Sequence, residues 1–288
     1  MAPTAGTKDA GSEDDDDGRN LDDSDLDALT AQLHQELQLG EEAETRTTQT
    51  LVLLDFNGLL AYRDNKNCGV PGSRRPDFDL PTGKYKTFPC PFYIRPWARE
   101  LVCALLNDPR CQIAVYTSIN EKNVKPIIQS FDAHFKKMSD AGDFEPVTVC
   151  GSVITTASAI MDGSIGLFDR LYNSADPQGE NEWDTIRDLS KIWSSRAIKG
   201  AGFNASNTII IDAEARKVRA CKKNAIVVRE YVAEDVAKDM KEENILEELG
   251  DYLDGTVFAE MQKPGADVQD VLASNPCPLS RPSRLPRA

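Results

Sequence analysis

Residues 51–60 read "LVLLDFNGLL". Four apolar residues in a row, bounded by a turn signal, form the pattern of a short strand buried on both faces. The run ends at Asp55, and Gly58 follows three residues later. The strand is therefore expected to carry a carboxylate into a loop. Two positions further, where a second acid would complete a pair, the residue is Asn57.

The same kind of text recurs along the chain. "CQIAVYTS" (111–118), "NTIIIDAEA" (207–215) and "NAIVVREY" (224–231) read as further buried strands, with "EPVTVCGSVI" (145–154) as another candidate. Between them, "IRPWARELVCALLN" reads as an amphipathic helix with Pro96 near its start. "EKNVKPIIQSFDAHFKKM" reads as a helix interrupted at Pro126, and "WDTIRDLSKIW" as a third helix. Buried strands alternating with helices predict an α/β fold: a Rossmann-like, mostly parallel sheet with helices on both faces. The turn-rich stretch from about 63 to 91 follows the first strand directly and is expected to form a lid or platform insertion. Arg74, Arg75, Lys84 and Lys86 give it a positive bias.

The chain's formal charge of −14 is concentrated at one end, since residues 1–47 hold fourteen acids against three bases. That segment is too charged to collapse and reads as a disordered acidic tail. Within it, Leu26, Leu29, Leu33 and Leu37 fall on one helical face, which suits a short helix docking on a partner or on the chain's own domain. A domain is expected over 48–262, followed by a mobile tail, 263–288, rich in Pro, Ser and Arg. No basic stripe suggests nucleic-acid binding, and no apolar run is long enough to span a bilayer. The seven cysteines form no C-x-x-C pair and read as reduced thiols of a soluble cytoplasmic or nuclear protein. Only His34 and His134 are available, which argues against His-based triads and histidine-rich metal sites. Any chemistry falls to carboxylates.

Three predicted strands end in polar residues: Asp55, Thr117 with Ser118, and Asp212. In an open α/β sheet, ligands lie beyond the carboxyl ends of the strands. Like charges gathered there raise each other's pKa unless a cation intervenes, which is the logic of a magnesium-assisted phosphoryl site.

The ordered series "LLDFNGLL", "RPWARELV", "AVYTS", "RDLSKI" and "IIIDAEA" resembles the phosphatase domain of the haloacid dehalogenase superfamily. Within it, the series is most similar to the branch of RNA polymerase C-terminal-domain phosphatases and NLI-interacting-factor-like small phosphatases. The resemblance runs over about residues 50–255. It implies that Asp55 is the nucleophile and a Mg2+ ligand, giving an aspartyl-phosphate. It places Asn57 where the family has its general acid, a role worth about 10²–10⁴-fold in rate that an amide cannot fill. The carbonyl of Asn57 would remain a metal ligand, and Leu59 replaces the family's threonine. Thr117 matches the phosphate-binding hydroxyl, and Ser118 is a spare donor beside it. Arg187 stands where the family has a lysine that neutralises the phosphate and the nucleophile, with Lys191 and Lys199 as poorer fits. Asp212 is retained as a metal-site acid, but Ala213 replaces a magnesium ligand, so binding of Mg2+ is expected to be weak. Glu214 would point the wrong way.

Together these substitutions imply a catalytically impaired phosphatase-like protein acting as a protein-binding or scaffold module. The partner would dock on the acidic N-terminal helix or on the 63–91 insertion. The alternative is a slow or specialised magnesium-dependent protein serine/threonine phosphatase that still uses Asp55.

Overall fold

The computed structural model describes residues 49–64, 75–80, 90–141, 147–149, 152–154, 159–238 and 244–280. The chain divides into two units, Met1–Glu44 and Thr45–Ala288, and every described residue belongs to the second. The acidic tail and the helix expected in it, Arg74, Lys84, Lys86 and residues 281–288 lie outside the described residues.

Twelve strands are described: β1 (Thr50–Leu54), β2 (Ala61–Arg63), β3 (Phe78–Leu80), β4 (Cys90–Ile94), β5 (Cys111–Tyr116), β6 (Val147–Val149), β7 (Ser152–Ile154), β8 (Gly166–Phe168), β9 (Asn173–Ala175), β10 (Thr185–Arg187), β11 (Thr208–Asp212) and β12 (Ala225–Val227). Five of them form the main sheet, in the order β12-β11-β1-β5-β8. All four of its pairings are parallel, as the unbroken apolar runs predict. The chain winds outward from β1 through β5 to β8, then returns to the other side of β1 for β11 and β12. That reversal makes the carboxyl end of β1 a topological switch point, the usual place for a ligand crevice.

Both faces of the sheet are covered, and the strand period of two sorts the side chains between them. Val52, Leu54, Ile113, Val115, Ile209 and Ile211 face one core, which they share with the helices Ala98–Asn107, Glu121–Asp140 and Ile245–Tyr252. Leu51, Leu53, Ala114, Tyr116 and Ile210 face the other, against Leu189 and Ile192 of the short helix Leu189–Trp193, with Ile198, Phe203 and Val218. Among the described residues no helix is long and apolar enough to cross a membrane.

Several local expectations are corrected. The helix Glu121–Asp140 runs unbroken through Pro126, because Val124, Ile127, Ile128, Phe131 and Phe135 anchor one continuous apolar stripe in the core. "EPVTVCGSVI" supplies the antiparallel hairpin β6–β7 rather than a strand of the main sheet. The fifth strand of that sheet is β8, whose "GLF" is too short to stand out in the sequence. The part of 63–91 that is described builds an antiparallel sheet of order β2-β4-β3 immediately after β1.

The segment beyond 263, expected to be a mobile tail, instead forms the helix Val268–Ser274. Val268 is fully buried, and Val271 and Cys277 are buried with it. Val268 N donates to Ser206 O at 2.7 Å, and Tyr252 Oη donates to Asn275 O at 2.6 Å. Proline and serine content obscured a short apolar face that the core takes up.

Candidate active site

Asp55 follows β1 at the switch point and is 2 % exposed. Its amide donates to Ile211 O at 3.0 Å, which extends the parallel ladder by one residue. Its Oδ1 accepts from Phe56 N at 2.9 Å, while Oδ2 is buried without a hydrogen-bond partner among the described residues. Asp212, the last residue of β11, is completely buried beside it. Its Oδ1 accepts from Glu214 N at 2.8 Å, closing the turn that follows.

The residue that joins them is Arg187. Sequence periodicity put it inside a helix, but it ends β10, paired antiparallel with β9 opposite Asn173. The helix of "RDLSKIW" begins only after Asp188, whose side chain accepts from Ser190 N and caps it. Arg187 is fully buried. Its Nε donates to Asp212 Oδ2 at 2.9 Å. Its Nη2 lies 2.8 Å from Asp212 Oδ2 and 3.0 Å from Asp55 Oδ1. Its Cζ stands 4.7 Å from the centroid of the Tyr116 ring. Nη1 and Nη2 have no hydrogen-bond partner among the described residues, so the contacts of Nη2 with the two carboxylates are ion pairs.

Further contacts hold this side chain in place. Arg187 N donates to Lys217 O at 2.8 Å, and Tyr116 Oη accepts from Asp188 N at 2.8 Å while donating to Tyr172 O. Asp176, just after β9, is paired by Arg216 at 2.8 Å and also by Arg219. The β9–β10 hairpin is thereby tied to the turn after β11.

Electrostatics follow from one guanidinium serving two buried carboxylates. The Asp55 carboxyl is pushed up to about 6, first by burial and then by Asp212, against the opposing pull of Arg187 and Lys217. Burial works against the charge on Arg187, but Asp55 and Asp212 outweigh it and hold the guanidinium protonated. Breaking such a buried arrangement by deleting one member typically costs about 3–5 kcal/mol, because a charge is stranded.

The remaining expected residues lie nearby with varied fates. Thr117 is buried one residue beyond β5, its amide donating to Phe168 O at 2.9 Å and its Oγ1 accepting from Ile119 N at 3.3 Å. The Ser118 hydroxyl is turned to Asn173, accepting from its Nδ2 at 3.3 Å. Asn57 is half-buried in the loop after β1, with its Oδ1 unpartnered among the described residues. Arg95, behind that loop, donates from Nη1 to the carbonyls of Gly58, Leu59 and Arg229, and so clamps it to the segment after β12. Lys191 donates to Asn173 O and Lys199 is exposed, so neither joins Asp55.

Two charged residues at the site were missed. Lys217 senses Asp55, Glu214 and Asp212, which together hold its ammonium above the ordinary value despite partial burial. The Glu214 carboxylate pairs with Lys217. Glu230 lies at the rim, where a Cβ on Gly58 would come within 2.8 Å of its Cγ. Burial and Glu214 push its carboxyl up, with Asp212 adding to the effect against Lys217. The trace of Lys217 in the sequence is its place in the turn after "IIID", and that of Glu230 its place just past the apolar run of "NAIVVREY".

Magnesium coordinates six oxygens and usually keeps one or two carboxylates with several waters. Asp55 and Asp212 are the acids expected for it, yet a guanidinium nitrogen already lies within 3.0 Å of both. Ala213 offers no donor. Among the described residues no group of three or more His, Cys, Asp or Glu is arranged to hold a metal. The described residues around Asp55 and Asp212, with a guanidinium already between the two acids, do not fit a magnesium ion.

Comparison with known proteins bears on these residues. The family of NLI interacting factor-like phosphatases matches residues 153–263, a stretch that contains Arg187 and Asp212. Over that stretch, less than half of the chain, the protein is similar to this phosphatase family, and two of the five ordered motifs, "RDLSKI" and "IIIDAEA", lie within it. Among solved structures, the fission yeast RNA polymerase II CTD phosphatase Fcp1 bound to beryllium fluoride aligns at 10% identity and TM-score 0.38, covering 82% of this chain and 65% of that one. A second structure of Fcp1, described as an essential RNA polymerase II CTD phosphatase, aligns at 11% identity and TM-score 0.38, covering 81% and 59%. This chain thus spans less than two thirds of either. No curated protein matches.

Proposed function

We propose that this chain is a phosphatase-like protein with impaired catalysis, acting as a protein-binding module in a reducing compartment. One observation carries the reading: Asn57 stands two residues after Asp55, where a proton donor and acceptor is required. The environment of Asp55 supports it, since the carboxylate is buried and paired to Arg187 rather than presented to a substrate. The expected binding surfaces are the acidic N-terminal segment and the insertion after β1, of which β2, β3 and β4 are the described part.

A slow phosphatase using Asp55 as nucleophile is the second reading. It is favoured by Asp55 Oδ2, unpartnered among the described residues and the oxygen an in-line attack would need. Hydrolysis of p-nitrophenyl phosphate, with and without magnesium, separates the two. The wild-type rate is expected to equal that of Asp55→Asn. The triple variant Asn57→Asp, Arg187→Lys, Ala213→Asn, which returns three polar residues of the family pattern, is expected to gain turnover. A wild-type rate that Asp55→Asn abolishes would overturn the first reading in favour of the second.

A further inference from the structure

We propose that Arg187 is a built-in counter-cation, its guanidinium occupying the position between Asp55 and Asp212 that a divalent cation would need and closing the site to such ions. This deepens the reading of a disabled phosphatase site and rests on it for the assignment of Asp55 and Asp212 as the metal-site acids.

The geometry supplies the argument. A cation bridging Asp55 Oδ1 and Asp212 Oδ2 would have to displace Nη2, which lies 3.0 and 2.8 Å from those oxygens, and one approaching Asp55 Oδ2, unpartnered among the described residues, would meet the guanidinium charge across the same carboxylate. Arg187 is poorly placed to yield. Its Nε donates a hydrogen bond to Asp212 Oδ2, its planar head lies over Tyr116, and its side chain is fully buried. Moving the backbone would require β10 to leave β9, against the ion pairs that Arg216 and Arg219 make with Asp176. A lysine at this position would present a single flexible ammonium on a narrower stem. An arginine presents a rigid fork that contacts both carboxylates at once. On this view Ala213 is a consequence rather than the cause: once a guanidinium balances the two acids, a further metal ligand has nothing to hold.

Binding of Mn2+ as a magnesium probe, followed by electron paramagnetic resonance on the full chain, tests this. Only the manganese lost on Asp55→Asn is counted, which removes any held by the acidic N-terminal segment. Wild type and Ala213→Asn are both expected to bind none at this site. Ala213→Asn/Arg187→Lys is expected to bind, and to melt several degrees higher in magnesium than in chelator, as a ligand specific to the native state requires. Manganese bound by wild type, or by Ala213→Asn with Arg187 still present, would overturn the proposal, as would a folded double variant that binds none. Should the double variant not fold, the single variant decides in the same terms. The outcome is independent of turnover: a wild type that hydrolyses phosphate without binding metal would sink the impaired-catalysis reading and leave the counter-cation standing.

Discussion

Asp55 is a carboxyl whose native pKa, about 6, stands above its ordinary 3.8. A raised pKa means that the native state binds a proton more tightly than the unfolded chain does. The associated stability is therefore fully present below about pH 4 and is lost as pH rises through about 6. A rise from 3.8 to about 6 corresponds to roughly 3 kcal/mol. Urea denaturation of wild type and Asp55→Asn should diverge accordingly, with wild type losing on the order of 2–3 kcal/mol more between about pH 4 and pH 8. Parallel pH profiles would show that Arg187 and Lys217 keep Asp55 ionised throughout. Asp55, Thr117 and Asp212 were legible in the sequence because each ends an apolar run. Lys217 and Glu230 were not, because they reach the site from a turn and from the segment after β12, where no periodicity announces which side chain points inward.

The helix Glu121–Asp140 shows packing overriding a local breaker. Pro126 is exposed on its outer face and has no N–H to return to the carbonyl of Lys122. Alanine there would restore that bond and a better helix propensity, offset partly by a more flexible unfolded chain. Pro126→Ala is expected to raise stability by about 1–2 kcal/mol, read as an increased urea midpoint at constant slope. An unchanged or lowered midpoint would mean that the proline ring is itself a packing element. "WDTIRDLSKIW" illustrates the opposite failure. Its apolar spacing suits a helix, but Asp188 caps one only from Leu189 onward, and the residues before it pair with β9. A three-residue strand is too short for period two to be distinguished from a helical stripe.

For the whole molecule, the C-terminal segment completes the core rather than trailing from it. Val268, Val271 and Cys277 are buried, and Gln269 Nε2 donates to Asn224 Oδ1 at 2.9 Å beside β12. Ending the chain after Lys263 would uncover that surface and cost about 1.5–3 kcal/mol for each large side chain exposed. Such a truncation is expected to lower the melting temperature by about 5 °C or more. An unchanged melting temperature would show the helix Val268–Ser274 to be dispensable. The sequence by itself determined the parallel α/β fold and which acids stand at its carboxyl edge. Runs of apolar residues and the polar residue that ends each are local, and a sheet covered on both faces demands both. The family resemblance set Arg187 beside Asp55, and only the tertiary structure decided that it also binds Asp212. Its side chain arrives from a hairpin outside the main sheet, and no local pattern specifies where a hairpin packs.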